Sequence, residues 1–124
     1  MKPITDRDWL IEWGLQHERC AACGADWGLQ THHLVKRSRR RMDRGFNLLR
    51  LCLYCHSAAE GIRVCDAGHE WVPLLSLSAC LRLKREADPD EWEPEMLEEL
   101  LGRPLPSLEE IPEFFTRKRR AYKK

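Results

Sequence analysis

No apolar run in this chain approaches the roughly 20 residues that a helix needs to cross a bilayer, which excludes a helical membrane span. The start, Met1 to Leu10, is charged and does not read as a secretory signal, so we expect a protein of the reducing cytoplasm. There is no internal repeat and no sign of a second domain. An excess of one charge is also missing: 21 Lys and Arg stand against 20 Asp and Glu, a net +1. With 124 residues and 14.6 kDa the chain is long enough for one modest core, a size at which a bound metal helps hold the fold.

The near-neutral total hides a strong segregation. Residues 1–85 hold 14 basic and 9 acidic side chains; residues 86–113 hold 1 and 11; residues 114–124 hold 6 and none. One basic cluster is Lys36-Arg37-Ser38-Arg39-Arg40-Arg41 with Arg44 following, and the other is Arg117-Lys118-Arg119-Arg120 with Lys123 and Lys124. The acidic stretch 86–113 repels nucleic acid and suits a far face or a protein partner.

Six cysteines are present. In a chain without a secretory signal they point to metal rather than disulfides. Four of them form two knuckles, Cys20-Ala21-Ala22-Cys23 and Cys52-Leu53-Tyr54-Cys55, a set that suits one closed tetrahedral zinc. The 28 residues between the knuckles exceed the usual ribbon spacing of roughly 15–20, and the surplus is what an inserted β-hairpin needs. Cys65 and Cys80 have no partner at metal spacing and read as small core residues. Three histidines, His32, His33 and His56, and Asn47 lie inside or beside the frame, where a plain zinc staple has no use for them.

The pattern predicts an α+β chain. Thr5 caps a first helix running to about His17. Leu29–Val35 and Asn47–Leu51 are strands joined by the basic loop 36–46, and a helix covers Leu53–Glu60, stopped by Gly61. A second hairpin is expected from Ile62–Cys65 and Glu70–Leu75 around Asp66-Ala67-Gly68. Ser76 or Ser78 caps a helix to about Ala87, Pro94 opens another that Gly102 ends, and 103–112 is extended. The basic end is expected to fray, and His17 and His69 to lie on the surface. Domain organisation reads as an N-terminal helix over 1–19, a core over 20–61, a hairpin and helices over 62–102, and an extended, basic end over 103–124.

Helix geometry separates two sites. Cys52 and Cys55, three apart, share a face, while His56 points elsewhere with Glu60 one turn further on. His56 and Glu60 are thus placed to hold a metal other than the one the cysteines hold, with His32 and His33 on the opposite strand. Neighbouring strand residues alternate faces, so a twist or bulge must bring both histidines to one place.

Over about residues 20–60 the order and spacing of the two knuckles, Thr31-His32-His33-Leu34, Asp43, Asn47-Leu48, and Leu51-Cys52 through Cys55-His56 resemble the HNH, or ββα-metal, nucleases. The resemblance implies a β-hairpin and helix clasping a divalent cation (Mg²⁺, Mn²⁺, Ni²⁺ or Zn²⁺) beside the four-cysteine structural zinc, flanked here by helices and the second short hairpin. It implies phosphodiester cleavage in DNA, with His33 as general base, His32 and His56 as metal ligands, and Asn47 bracing the hairpin and orienting His33. The family often places His or Asn one turn after the second ligand; this chain has Glu60, a hard oxygen ligand suited to Mg²⁺ or Mn²⁺. Lys36, Arg37, Arg39, Arg40, Arg41 and Arg44 then read as the phosphate clamp. The implied setting is a bacterial or phage-infected cell. Two other readings fit less of the pattern: a zinc module that binds nucleic acid without cutting it, which has no need of His33, and a subunit active only with a partner docked on 86–113.

Overall fold

The computed structural model describes residues 1–36 and 40–122. Arg37, Ser38 and Arg39 of the basic loop, and Lys123 and Lys124 at the basic end, lie outside the described residues.

Among the described residues the chain is α+β, with five α-helices and one two-stranded antiparallel sheet. Strand β1, Leu29–His33, pairs with β2, Leu48–Cys52, in the register Leu29 to Cys52 and His33 to Leu48. Thr31 faces Arg50 across the ladder, and the Arg50 guanidinium donates to Thr31 Oγ1 at 3.0 Å. Helix α2, Leu53–Ala59, follows β2 without a loop and ends where Gly61 takes φ +80°, a left-handed conformation that suits glycine. Leu48, Leu49 and Leu51 are fully buried, because α2 covers the sheet from one side and helices α1, Arg7–Gln16, and α3, Leu77–Ala87, pack nearby. Helix α4, Pro94–Leu101, adds Leu97, Leu100 and Leu101 to the same core.

Several local expectations shift. Asp6, not Thr5, caps α1, its side chain accepting from the Trp9 amide at 3.2 Å. Of the two serines, Ser76 caps α3 through the Ala79 amide. The second hairpin is reduced to one isolated bridge between Cys65 and Trp71. Two backbone bonds cross there, from the Asp66 amide to the Glu70 carbonyl at 2.8 Å and from the Val72 amide to the Val64 carbonyl at 2.9 Å, while Asp66 Oδ1 accepts from the amides of Gly68 and Glu70. Cys65 is therefore exposed, whereas Cys80 is buried in α3 as expected. The basic end also differs. Residues Glu113–Tyr122 form helix α5, held down by a fully buried Phe115 and by Arg117 and Lys118 pairing with Glu70 and Asp66. The acidic turn 66–70 neutralises a helix whose charge alone reads as a solvated tail.

His17 is not a free surface residue. It stacks on Trp13 with ring centroids 3.8 Å apart and faces Asp88 at 3.4 Å and Glu91 at 3.7 Å. The Lys84 ammonium, fully buried, reaches the same two carboxylates at 2.9 and 2.8 Å. Trp13 Nε1 also donates to Glu91. This network ties α1 to α3 and to the short 3₁₀ turn Pro89–Glu91. Its His and acids have metal-like spacing, but Lys84 already supplies the cation. Gly45 sits against the network so closely that a Cβ there would lie 1.9 Å from Glu91 Oε2.

Burial works against charging His17, but Asp88, Glu91 and the Trp13 carbonyl outweigh it and raise the imidazole from 6.5 to about 9. A raised folded value gives stability that is complete below pH 6.5 and lost as pH climbs through about 9. We predict that the urea midpoint falls across that window and that His17→Gln flattens the fall. Equal slopes in the two proteins would remove His17 as its source.

Candidate functional site

Cys20 and Cys23 approach from a turn closed by Gly24, whose amide bonds the Cys20 carbonyl at 2.9 Å. Cys52 ends β2 and Cys55 lies in the first turn of α2. All four sulfurs are buried and lie within 4.8 Å of one another, and none forms a disulfide. The Cys23 and Cys52 sulfurs are 3.6 Å apart, close to the roughly 3.8 Å edge of a tetrahedron with 2.3 Å zinc–sulfur bonds. Thiol protons from Cys23, Cys52 and Cys55 drive Cys20 down, and that thiolate in turn drives Cys55 and Cys23 up. The neighbouring sulfurs thus lower Cys20 and Cys52 and raise Cys23 and Cys55; a divalent cation would let all four ionise. The cluster is suited to a structural metal ion such as zinc. Helix α5 roofs it. Gly24 packs against Arg119, Trp27 Nε1 donates to the Tyr122 hydroxyl at 3.0 Å, and a cavity of about 130 Å³ lies between knuckle, turn 66–68 and helix.

The second cluster joins His32, His56 and Glu60. Glu60 Oε1 lies 3.3 Å from His32 Nδ1 and 3.4 Å from His56 Nε2. Such edges fit ligand atoms roughly 2.1 Å from a common cation. His32 Nδ1 is buried and, among the described residues, has no hydrogen-bond partner. An orphaned buried nitrogen aimed at two other donor atoms calls for an explanation, and a shared cation supplies one. Burial first, then repulsion from His56, lowers the His32 imidazole to about 4, so at pH 7 it is neutral, the form that could ligate a metal. On the far side of His56, Nδ1 is bonded to Gln30 Oε1, which turns Nε2 toward the cluster.

His33 ends β1, so the chain leaves the strict alternation of the strand there, and His32 and His33 line one cleft of about 670 Å³. His33 Nε2 lies 2.8 Å from Asp43 Oδ1. Asp43 is fully buried, yet bonds from the Asp6 amide, His33 and Arg41 outweigh burial and hold its carboxyl below the ordinary value. Asn47, also fully buried, accepts from the Val35 amide at 2.8 Å and donates to the Met42 carbonyl at 3.1 Å, closing the loop just after His33.

The basic loop divides. Lys36 lines the cleft, and Arg40 is half-buried. Arg41 is turned onto Asp43, and Arg44 onto Asp6 and the face of Trp9. Arg37 and Arg39 lie outside the described residues. Arg103 lines the cleft together with Lys36. Sequence reasoning passed over Gln30, Arg103 and any task for Asp43. Gln30 was within reach, since it lies two residues from His32 on the same strand face. Arg103 was marked by being the sole base in an acidic segment.

No family model matches the chain, and no curated protein or solved structure matches it either.

We predict that purified protein carries one tightly held zinc and that Cys55→Ser loses both metal and fold, because binding energy at such sites is folding energy. A folded, zinc-free sample by elemental analysis would refute the structural-zinc reading. Phe115→Ala, which loosens the roof, should release zinc to a chelator faster and cost about 3–5 kcal/mol of stability.

Proposed function

We propose that this chain is a metal-dependent DNA endonuclease of the HNH type, cutting phosphodiester bonds in the cleft between β1 and α2. One observation carries the reading: His32 Nδ1, His56 Nε2 and Glu60 Oε1 converge, and His33 lines the same cleft as His32 and Glu60. A zinc staple alone has no use for that second set.

His32, His56 and Glu60 would hold the catalytic cation, with Glu60 supplying the hard oxygen that favours Mg²⁺ or Mn²⁺. When bound, such a cation offsets charge that builds on the phosphate and on the leaving oxygen. His33 takes the proton of the attacking water as the new oxygen–phosphorus bond forms. The opposite phosphorus–oxygen bond breaks with its electron pair on the leaving oxygen. Asn47 braces the loop that follows His33, and Lys36 and Arg103 place the phosphates. Leu34, Leu75 and Leu77 line the same cleft.

Plasmid cleavage with added divalent cations tests the reading. His33→Ala should cut about 10²–10⁴-fold more slowly with zinc content and DNA affinity kept. Glu60→Ala and His56→Ala should need more cation for half-maximal rate. If His33→Ala cuts as fast as wild type under every cation, the assignment to this histidine fails and the non-cutting module is the better reading.

Binding divides the basic residues differently. Lys36→Ala with Arg103→Ala should weaken binding to any DNA sequence and flatten the salt slope by roughly two counterions. Arg41→Ala and Arg44→Ala should lower stability instead, since both serve internal acids. An unchanged slope in the Lys36/Arg103 double variant would take the cleft mouth out of DNA contact.

A further inference from the structure

We propose that Asp43 is a positioning residue, which holds the His33 ring in one orientation and in the tautomer whose proton sits on Nε2. The hold itself stands on geometry; its consequence for rate rests on the hydrolytic reading of the cleft.

Asp43 is fully buried, just ahead of the turn that leads into β2. Its two oxygens share the work. Oδ1 lies 2.8 Å from His33 Nε2 and accepts from Arg41 Nε at 3.2 Å. Oδ2 accepts from the Asp6 amide at 2.8 Å and from Arg41 Nε, more closely, at 3.0 Å. The backbone locks the same place: Ile4 bridges Met42, and the Asp43 amide donates to the Ile4 carbonyl at 2.9 Å. A carboxylate gripped by these donors is ionised, and an ionised carboxylate only accepts. The proton between Asp43 and His33 therefore belongs to Nε2, and a ring holding that proton alone has its lone pair on Nδ1.

Asn47, the residue whose place suggested an orienting role, spends its side chain on Val35 and Met42. The orientation of His33 falls to Asp43. The hold is delivered from outside the hairpin, because residues 4–6 precede α1 and reach across to the 41–43 segment.

The chemistry of an amide at this position makes a sharp test. In Asp43→Asn the side-chain oxygen is claimed by the Asp6 and Arg41 donors at the Oδ2 position. The NH₂ then faces His33 Nε2 and donates to it, which moves the ring proton to Nδ1. Long-range ¹⁵N–¹H spectra of the full chain report the tautomer directly. Wild type should show His33 protonated at Nε2, and Asp43→Asn should show it at Nδ1. Alongside, cleavage by Asp43→Asn should lose about 10²–10⁴-fold in kcat, the range for a mispresented general base, with KM for DNA within about twofold. A simple folding defect would lower the active fraction and leave the tautomer of the folded remainder unchanged.

Wild-type spectra decide the matter even if the variant does not fold: a His33 proton on Nδ1 overturns the proposal. It is also overturned if Asp43→Asn flips the tautomer and keeps full kcat. If wild type shows the Nε2 proton and the variant flips it, yet wild type cuts no DNA with any divalent cation, the hold stands and the nuclease reading falls.

Discussion

Four sulfurs brought within 4.8 Å of one another in a buried place are the constraint on which the arrangement depends. A lone two-stranded hairpin is marginal in water. Here the cysteines grip both of its ends. One knuckle precedes β1; the other ends β2 and opens α2. That grip fixes α2 across the sheet and sets the face that His56 presents to His32. Four buried sulfurs this close are suited to a structural metal ion such as zinc, and binding one would be coupled to the fold.

The local order of the chain was legible because short-range rules govern it. The start of β1 at Leu29, the Gly61 and Gly102 stops and Pro94 at the head of α4 all sit where spacing places them. The two metal-like clusters follow from the same rules, since i, i+3 and i, i+4 offsets on α2 sort Cys55 from His56 and Glu60. What was not legible depends on distant partners. The fate of α5 hangs on Asp66 and on Glu70, which lies 47 residues before Arg117 and meets it only after folding. His17 read as surface because Asp88 and Glu91 come from a distant part of the chain. The second hairpin is cut short at its turn, where Asp66 Oδ1 takes the Glu70 amide that a longer ladder would have used.

Charge in this molecule is largely spent inward. Acids of the segment 86–113 hold buried Lys84, His17 and the Trp13 indole, so that segment is partly core scaffolding and less of a uniform acidic face. Arg41 and Arg44 brace Asp43 and Asp6, while Lys36 and Arg103 remain at the cleft. A run of like charges in sequence thus separates, in three dimensions, into residues that organise the protein and residues left for a ligand. Buried pairs of this kind are costly to break from one side, which makes them better guarantors of geometry than of net stability.

The roof that α5 lays over the tetrathiol site has a consequence in time. Residues 56–112 intervene between Cys55 and the start of α5. A ribosome adding about 5–20 residues per second completes the ligand set roughly 3–11 s before the covering helix is begun. Until α5 docks, Tyr122 and Arg119 are not there to cover the sulfurs; afterwards they are. A metal ion taken up by this cluster would therefore meet an open approach on the nascent chain and a covered one on the finished protein.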